Sequence, residues 1–340
     1  MSGLFADRLA KQGWLLADGA TGTNLFNMGL MAGDAPELWN ESHPDRVEAL
    51  YKGFVDAGSD LFLTNSFGAN ASRLKLHGAE KQVRRLNRIA AEIGRNLADR
   101  SETAPLVAGS MGPTGEIMEP VGTLSHALAV EMFHEQADGL REGGADILWV
   151  ETISAREEFH AAAEGIALAG MSWCGTMSFD TAGRTMMGLT AADMVAMIKG
   201  LHHAPLAFGA NCGVGASDLL RTLVGFSNSS PDKPLIAKGN AGIPKYVDGH
   251  IHYDGSPGLM ARYAVMARNA GACVIGGCCG TTPGHLREMR TALETAESGG
   301  SPSLAEIERE IGPFSSPSDG SQDRRPARRE RRRGRHREGG

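Results

Sequence analysis

Of the five cysteines in this 340-residue chain, three stand where they could do chemistry. Cys278 and Cys279 are adjacent within Gly276-Gly277-Cys278-Cys279-Gly280-Thr281-Thr282-Pro283, and Cys212 lies within Gly209-Ala210-Asn211-Cys212-Gly213. Each stretch closes an apolar run, which reads as the end of a strand. Three soft thiolates at strand ends suit one zinc ion, because the spacing fits no iron–sulfur pattern. Structural zinc sites use two close ligand pairs and a closed fourth position; here a single cysteine and one adjacent pair stand about 66 residues apart. Three protein ligands and an open position is the arrangement of catalytic zinc. Zinc with three thiolates carries a net charge of about −1, which suits it poorly to activating water but lets it hold a fourth sulfur as thiolate. A free thiol of pKa about 8.5 is mostly protonated at neutral pH. The expected reaction is therefore attack of a substrate sulfur on an electrophilic carbon. Cys174 and Cys273 lie inside strand-like runs and read as small core hydrophobes.

Adjacent residues of a regular strand face opposite ways. Cys278 and Cys279 reach one ion only if the chain turns sharply, which Gly276, Gly277 and Gly280 permit. Thr281 or Thr282, followed by Pro283, then opens a helix to about Ala296. The same unit, an apolar run, a polar turn and a helical stretch, recurs along the chain. Its runs are 14–17, 60–65, 106–109, 146–150, 173–179, 206–210, 235–238 and 272–275, with helices expected over 45–57 and 80–98 among others. Eight such units predict an α/β fold, a (β/α)8 TIM barrel. Residues 4–12 read as an amphipathic helix plugging its bottom. The polar clusters fall at strand ends, so Asp18, Asn65, Glu151, Cys212, Asn240, Cys278 and Cys279 should converge on the active-site face.

The barrel is assigned to residues 1–298, a linker and short helix to 299–312, and a disordered basic tail to 313–340. Residues 324–340 hold nine Arg and two Glu, a local +7, so the −6 of the whole chain leaves −13 on residues 1–323. An acidic body argues against nucleic acid as its main partner, and the Arg run reads as a solvated tail. An odd cysteine count without a disulfide framework, no signal peptide and no run of 18 apolar residues predict a cytoplasmic protein without a membrane span.

Six ordered motifs, Asp18-Gly19-Ala20-Thr21-Gly22-Thr23, Thr64-Asn65-Ser66-Phe67-Gly68-Ala69-Asn70, Glu151-Thr152, Asn211-Cys212-Gly213, Gly239-Asn240-Ala241-Gly242 and Gly276 to Thr281, resemble the homocysteine S-methyltransferases. The resemblance runs from about Leu4 to Ala296 and implies a zinc barrel that methylates homocysteine to methionine. It implies Zn2+ on Cys212, Cys278 and Cys279, with the homocysteine sulfur in the fourth position and Asn240 near the metal when substrate is absent. It also implies that Glu151 and Asp18 orient the substrate amino group, while backbone N–H groups of the turn from Gly19 through Ala20 and Thr21 to Thr23 hold its carboxylate.

The family leaves the donor open. Betaine or a related onium donor needs an aromatic cage, and this chain has Phe67-Gly68 where animal-type betaine enzymes place a tyrosine after the phenylalanine; Trp39 is a further candidate wall. Asp248-Gly249-His250-Ile251-His252-Tyr253 approaches the Asp-x-His-x-x-Gly cobalamin signature but has Tyr253 in place of glycine. A corrinoid donor would therefore arrive on a separate protein, with this chain as the homocysteine module of a split methionine synthase. A non-catalytic zinc protein and a nucleic-acid-binding protein using the Arg tail are the readings from other classes. The sequence assigns no oligomeric state.

Overall fold

A computed structural model describes residues 2–180, 182–243, 245–247, 250–318 and 320, with residues 2, 245–247 and 250–252 described through their backbone. All eight apolar runs form parallel strands: β1 (Leu15–Leu16), β2 (Leu61–Leu63), β3 (Leu106–Met111), β4 (Ile147–Ile153), β5 (Trp173–Met177), β6 (Phe208–Cys212), β7 (Leu235–Gly239) and β8 (Ala272–Gly277). Their order, β1-β8-β7-β6-β5-β4-β3-β2, is that of a (β/α)8 barrel. Side chains close the seam between β1 and β2. Asp60 accepts from the Leu16 N–H at 2.8 Å, Asp18 from the Leu63 N–H at 2.8 Å, and the Asp60 N–H donates to the Leu16 carbonyl at 2.7 Å.

Both faces of each strand are buried, and the period of two sorts their side chains. Leu15, Leu61, Leu63, Leu106, Ala108, Ile147, Trp149, Cys174, Ile236 and Val274 fill the barrel interior, while Leu16, Phe62, Val107, Leu148, Trp173, Phe208, Leu235 and Ile275 pack under the helices. The first helix, Ser2–Gln12, plugs the bottom: Phe5 is buried in the interior cluster and Leu9 packs against it. The helix after β8 spans Pro283–Thr295, capped by Thr282 with Pro283 in its first turn. Ser303 and Glu306 form a capping box on the short helix Leu304–Glu310.

The expected disordered tail begins too early in the sequence reading. Residues 312–318 lie against the Ala216–Asn228 helix, where Asp218 and Arg221 form a buried ion pair of 2.6 Å whose remaining donors and acceptors need partners. Asp218 accepts from the Ser315 N–H and hydroxyl at 3.0 Å each, Arg221 donates to the Ser316 carbonyl at 2.7 Å, and its guanidinium lies 4.5 Å from the Phe314 ring centroid. Residues 321–340, with all nine tail arginines, lie outside the described residues. So do Asp248 and Gly249 of the near-cobalamin signature; the flanking segments 245–247 and 250–252 pair as an antiparallel hairpin after β7. No helix among the described residues is long and apolar enough to cross a membrane.

Candidate metal centre

β8 ends at Gly277, so neither Cys278 nor Cys279 lies on the ladder, and the alternation of a strand no longer separates them. Three backbone bonds pin the turn. Gly277 N–H donates to the Asp18 carbonyl at 2.9 Å, Cys278 N–H to the Gly239 carbonyl at 2.8 Å, and Thr281 N–H to the Cys278 carbonyl at 3.1 Å. Gly280 takes φ +78° with the Tyr253 side chain packed over it, and a Cβ on Gly277 would come within 2.2 Å of Thr281 Cγ2. Only glycine fits either position.

Cys212 is the last residue of β6, paired with Gly239 of β7, and its φ of +60° swings its side chain out of the strand alternation. Its sulfur is 4.0 Å from that of Cys279, and all three sulfurs lie within 4.8 Å of one another. A tetrahedral zinc with Zn–S near 2.3 Å separates its sulfurs by about 3.8 Å, so the trio fits that ion with small movements. The neighbouring Asn240 agrees: its Nδ2 donates to the Gly213 carbonyl at 2.8 Å, while its buried Oδ1 has no hydrogen-bond partner among the described residues. All five cysteines are free of disulfides.

Without a metal, hydrogen bonding to Cys278 is the largest influence raising Cys212, which is pushed up to about 12. Hydrogen bonding with Cys212 likewise leads in raising Cys279 to about 11. The trio is thus protonated at neutral pH until a cation displaces the protons.

Asn211, inward-facing on β6, organises the surroundings. Its Oδ1 accepts from the Thr152 N–H at 2.9 Å and the Thr176 hydroxyl at 2.7 Å, and its Nδ2 faces the Thr152 hydroxyl at 2.8 Å and the Cys278 sulfur at 3.8 Å. Thr152 sits at φ +64°, rare for a β-branched residue, directly after Glu151. The Tyr253 side chain packs over Gly280, and burial followed by the nearby Cys279 pushes its phenol above the ordinary value.

Glu151 is 9 % exposed and its Oε1 accepts from the Ser110 hydroxyl at 2.6 Å. Burial pushes its carboxyl up, with Lys238 and Ser110 pulling it back. Asp18 is fully enclosed and paired with Lys238, whose Nζ is 2.5 Å from its Oδ1 and 5.7 Å from the Trp149 ring centroid. Burial works against the Lys238 ammonium, but the Asp18 and Glu151 carboxylates outweigh it and hold its pKa above the ordinary value. The sequence reading gave Lys238 no role. The available signal was its place two residues after inward-facing Ile236, since a lysine inside a barrel must be paired.

Gly19 and Ala20 follow β1, where the Ala20 N–H donates to the Thr281 carbonyl at 3.0 Å and a Cβ on Gly19 would meet that oxygen at 2.6 Å. Thr21 begins a short helix to Asn27, so the expected turn is a helix start at the barrel mouth. Asn65 is committed to structure: its Nδ2 donates to the Pro36 carbonyl and to Asn40 Oδ1. Trp39 is 6 % exposed, stacked with His43 and under Arg46.

The model of the homocysteine S-methyltransferase family matches residues 15–293, nearly the whole barrel. The chain belongs to that family. Methionine synthase of Mycobacterium leprae is 30% identical over 302 residues, covering 84% of this chain and 25% of that protein. The Mycobacterium tuberculosis methionine synthase is 29% identical over 296 residues. This homocysteine S-methyltransferase family member thus spans about a quarter of the length of those relatives. Among solved structures, the oxidized form of the homocysteine methyltransferase MmuM from Escherichia coli is 26% identical, with a TM-score of 0.69 and coverage of 83% of this chain and 97% of that one. Its metallated form gives a TM-score of 0.70 at 24% identity, covering 84% and 98%.

Proposed function

We propose that this chain transfers a methyl group to homocysteine, forming methionine, with Zn2+ as cofactor. The observation that carries the reading is the meeting of three cysteine sulfurs within 4.8 Å at the mouth of a barrel of this family. Cys212, Cys278 and Cys279 would hold the zinc. When bound, that ion keeps the homocysteine sulfur as a nucleophilic thiolate at neutral pH.

The chain's own residues do the rest. Asn211 orients Cys278 through a hydrogen bond to its sulfur, and Tyr253 stands beside Cys279. Asn240 holds beside them an acceptor with no partner among the described residues. Glu151 offers a carboxylate to the substrate ammonium, and the N–H groups that open the helix at Thr21 offer donors to its carboxylate.

Two donors remain. Betaine or another small onium compound is one. A separate methylated corrinoid protein is the other, and the aromatic groups favour it. A quaternary ammonium cage needs several ring faces; Trp39 lies in the core and the Arg73 guanidinium sits 5.4 Å over Phe67, leaving Tyr253 as the ring at the thiols among the side chains described. The test is methionine formation by zinc-loaded protein from a panel of betaine, dimethylsulfonio compounds, S-methylmethionine, methylcobalamin and methylated corrinoid protein. Turnover with one donor, abolished in Cys279→Ala along with zinc, is the expected result. Zinc-free activity, or full activity in Cys279→Ala, refutes the reading.

A further inference from the structure

Two carboxylates and one lysine share the floor of the site, and they are not equivalent. Asp18 is 0 % exposed and has both oxygens engaged, Oδ2 by the Leu63 N–H at 2.8 Å and Oδ1 by Lys238 at 2.5 Å. Lys238 is itself 2 % exposed and stacked toward Trp149, so it cannot swing aside without leaving a buried charge unpaired. Glu151 is open by comparison: Ser110 occupies Oε1, and no hydrogen bond among the described residues reaches Oε2. We infer that Lys238 sets the amine specificity of the site: by closing Asp18 it leaves Glu151 as the one carboxylate that meets a substrate ammonium. Lys238 is thus a positioning residue, the barrel's own internal cation at Asp18, and it fixes at one the number of anionic contacts a substrate amine receives.

The inference rests on the homocysteine reading above and is separable from it. Homocysteine and its deaminated analogue 4-mercaptobutanoate share sulfur, chain length and carboxylate and differ in the ammonium. Their affinities for the zinc-loaded full chain can be measured by calorimetry without any methyl donor. A single charge-assisted contact predicts that homocysteine binds about 10- to 100-fold more tightly. Glu151→Gln should bring the two thiols within about threefold. The paired variant Asp18→Asn with Lys238→Met, which neutralises both partners together, should weaken both thiols by the same factor and keep their ratio. A collapsed ratio in the paired variant places Asp18 on the ammonium and overturns the inference, as does a ratio that survives Glu151→Gln. Should the paired variant fail to fold by circular dichroism, the Glu151→Gln ratio decides alone. If neither thiol binds the zinc-loaded protein, the homocysteine reading fails and takes this inference with it.

Discussion

Replacing Asn211 with alanine tests how the site is built. The amide is 1 % exposed, and Asn211→Ala removes the acceptor for the Thr152 N–H and for the fully buried Thr176 hydroxyl, together with the donor facing Thr152 and Cys278. Each buried donor left without a partner costs about 1–3 kcal/mol, so the two together should destabilise the barrel by roughly 2–5 kcal/mol. Thr152 adds a second consequence. Its φ of +64° costs of order 1–3 kcal/mol and persists only where neighbours enforce it. Asn211 makes two of those enforcing bonds. Releasing them lets the Glu151–Thr152 corner relax, so adding Thr152→Gly to Asn211→Ala should cost less than the sum of the single changes. Zinc affinity should fall about 10- to 100-fold, as expected when a partner of a metal ligand is removed. Urea unfolding of the metal-free variants gives the first quantity and chelator competition the second. A loss under about 1 kcal/mol with zinc affinity inside threefold of the parent would refute the account of Asn211 as the organiser of this corner.

Other consequences are equally direct. Gly277→Ala drives a Cβ to 2.2 Å from Thr281 Cγ2, a fully buried side chain with nowhere to turn, so it should destabilise by about 1–3 kcal/mol and weaken zinc binding at least tenfold by chelator competition. Burial raises Glu158 above its ordinary carboxyl value while the Thr114 N–H and hydroxyl pull it back. An acid whose folded pKa is raised loses stability as pH rises from its unfolded value through its folded one. Glu158→Gln should therefore gain in melting temperature over the parent as pH rises above about 4.5, and a difference that stays constant with pH would contradict the reading. Truncation after residue 312 removes the Ser315 and Ser316 bonds, leaves Asp218 and Arg221 only each other, and should lower stability by about 2–3 kcal/mol, whereas truncation after residue 320 should leave melting temperature and zinc content unchanged.

Much of this molecule was legible in its sequence because the signals are local. Apolar runs of four to seven residues between turns and helices mark buried strands by their length and flanks, and all eight appear in the barrel where the chain pattern put them. Glycines around Cys278 and Cys279 announced a sharp turn, because only a residue without Cβ tolerates Gly280's φ of +78° beneath Tyr253. Tertiary structure decided what has no local signal. Whether residues 313–318 float or dock depended on Asp218 and Arg221, two buried polar groups nearly a hundred residues away that needed partners. The pairing of Asp18 with Lys238 joins residues 220 positions apart, just after β1 and on β7, and gives each charge its partner inside the barrel. Residue types and spacing name the groups at the site, but which charge neutralises which depends on distances in the closed barrel, since a buried charge is stable only against the partner the fold brings to it.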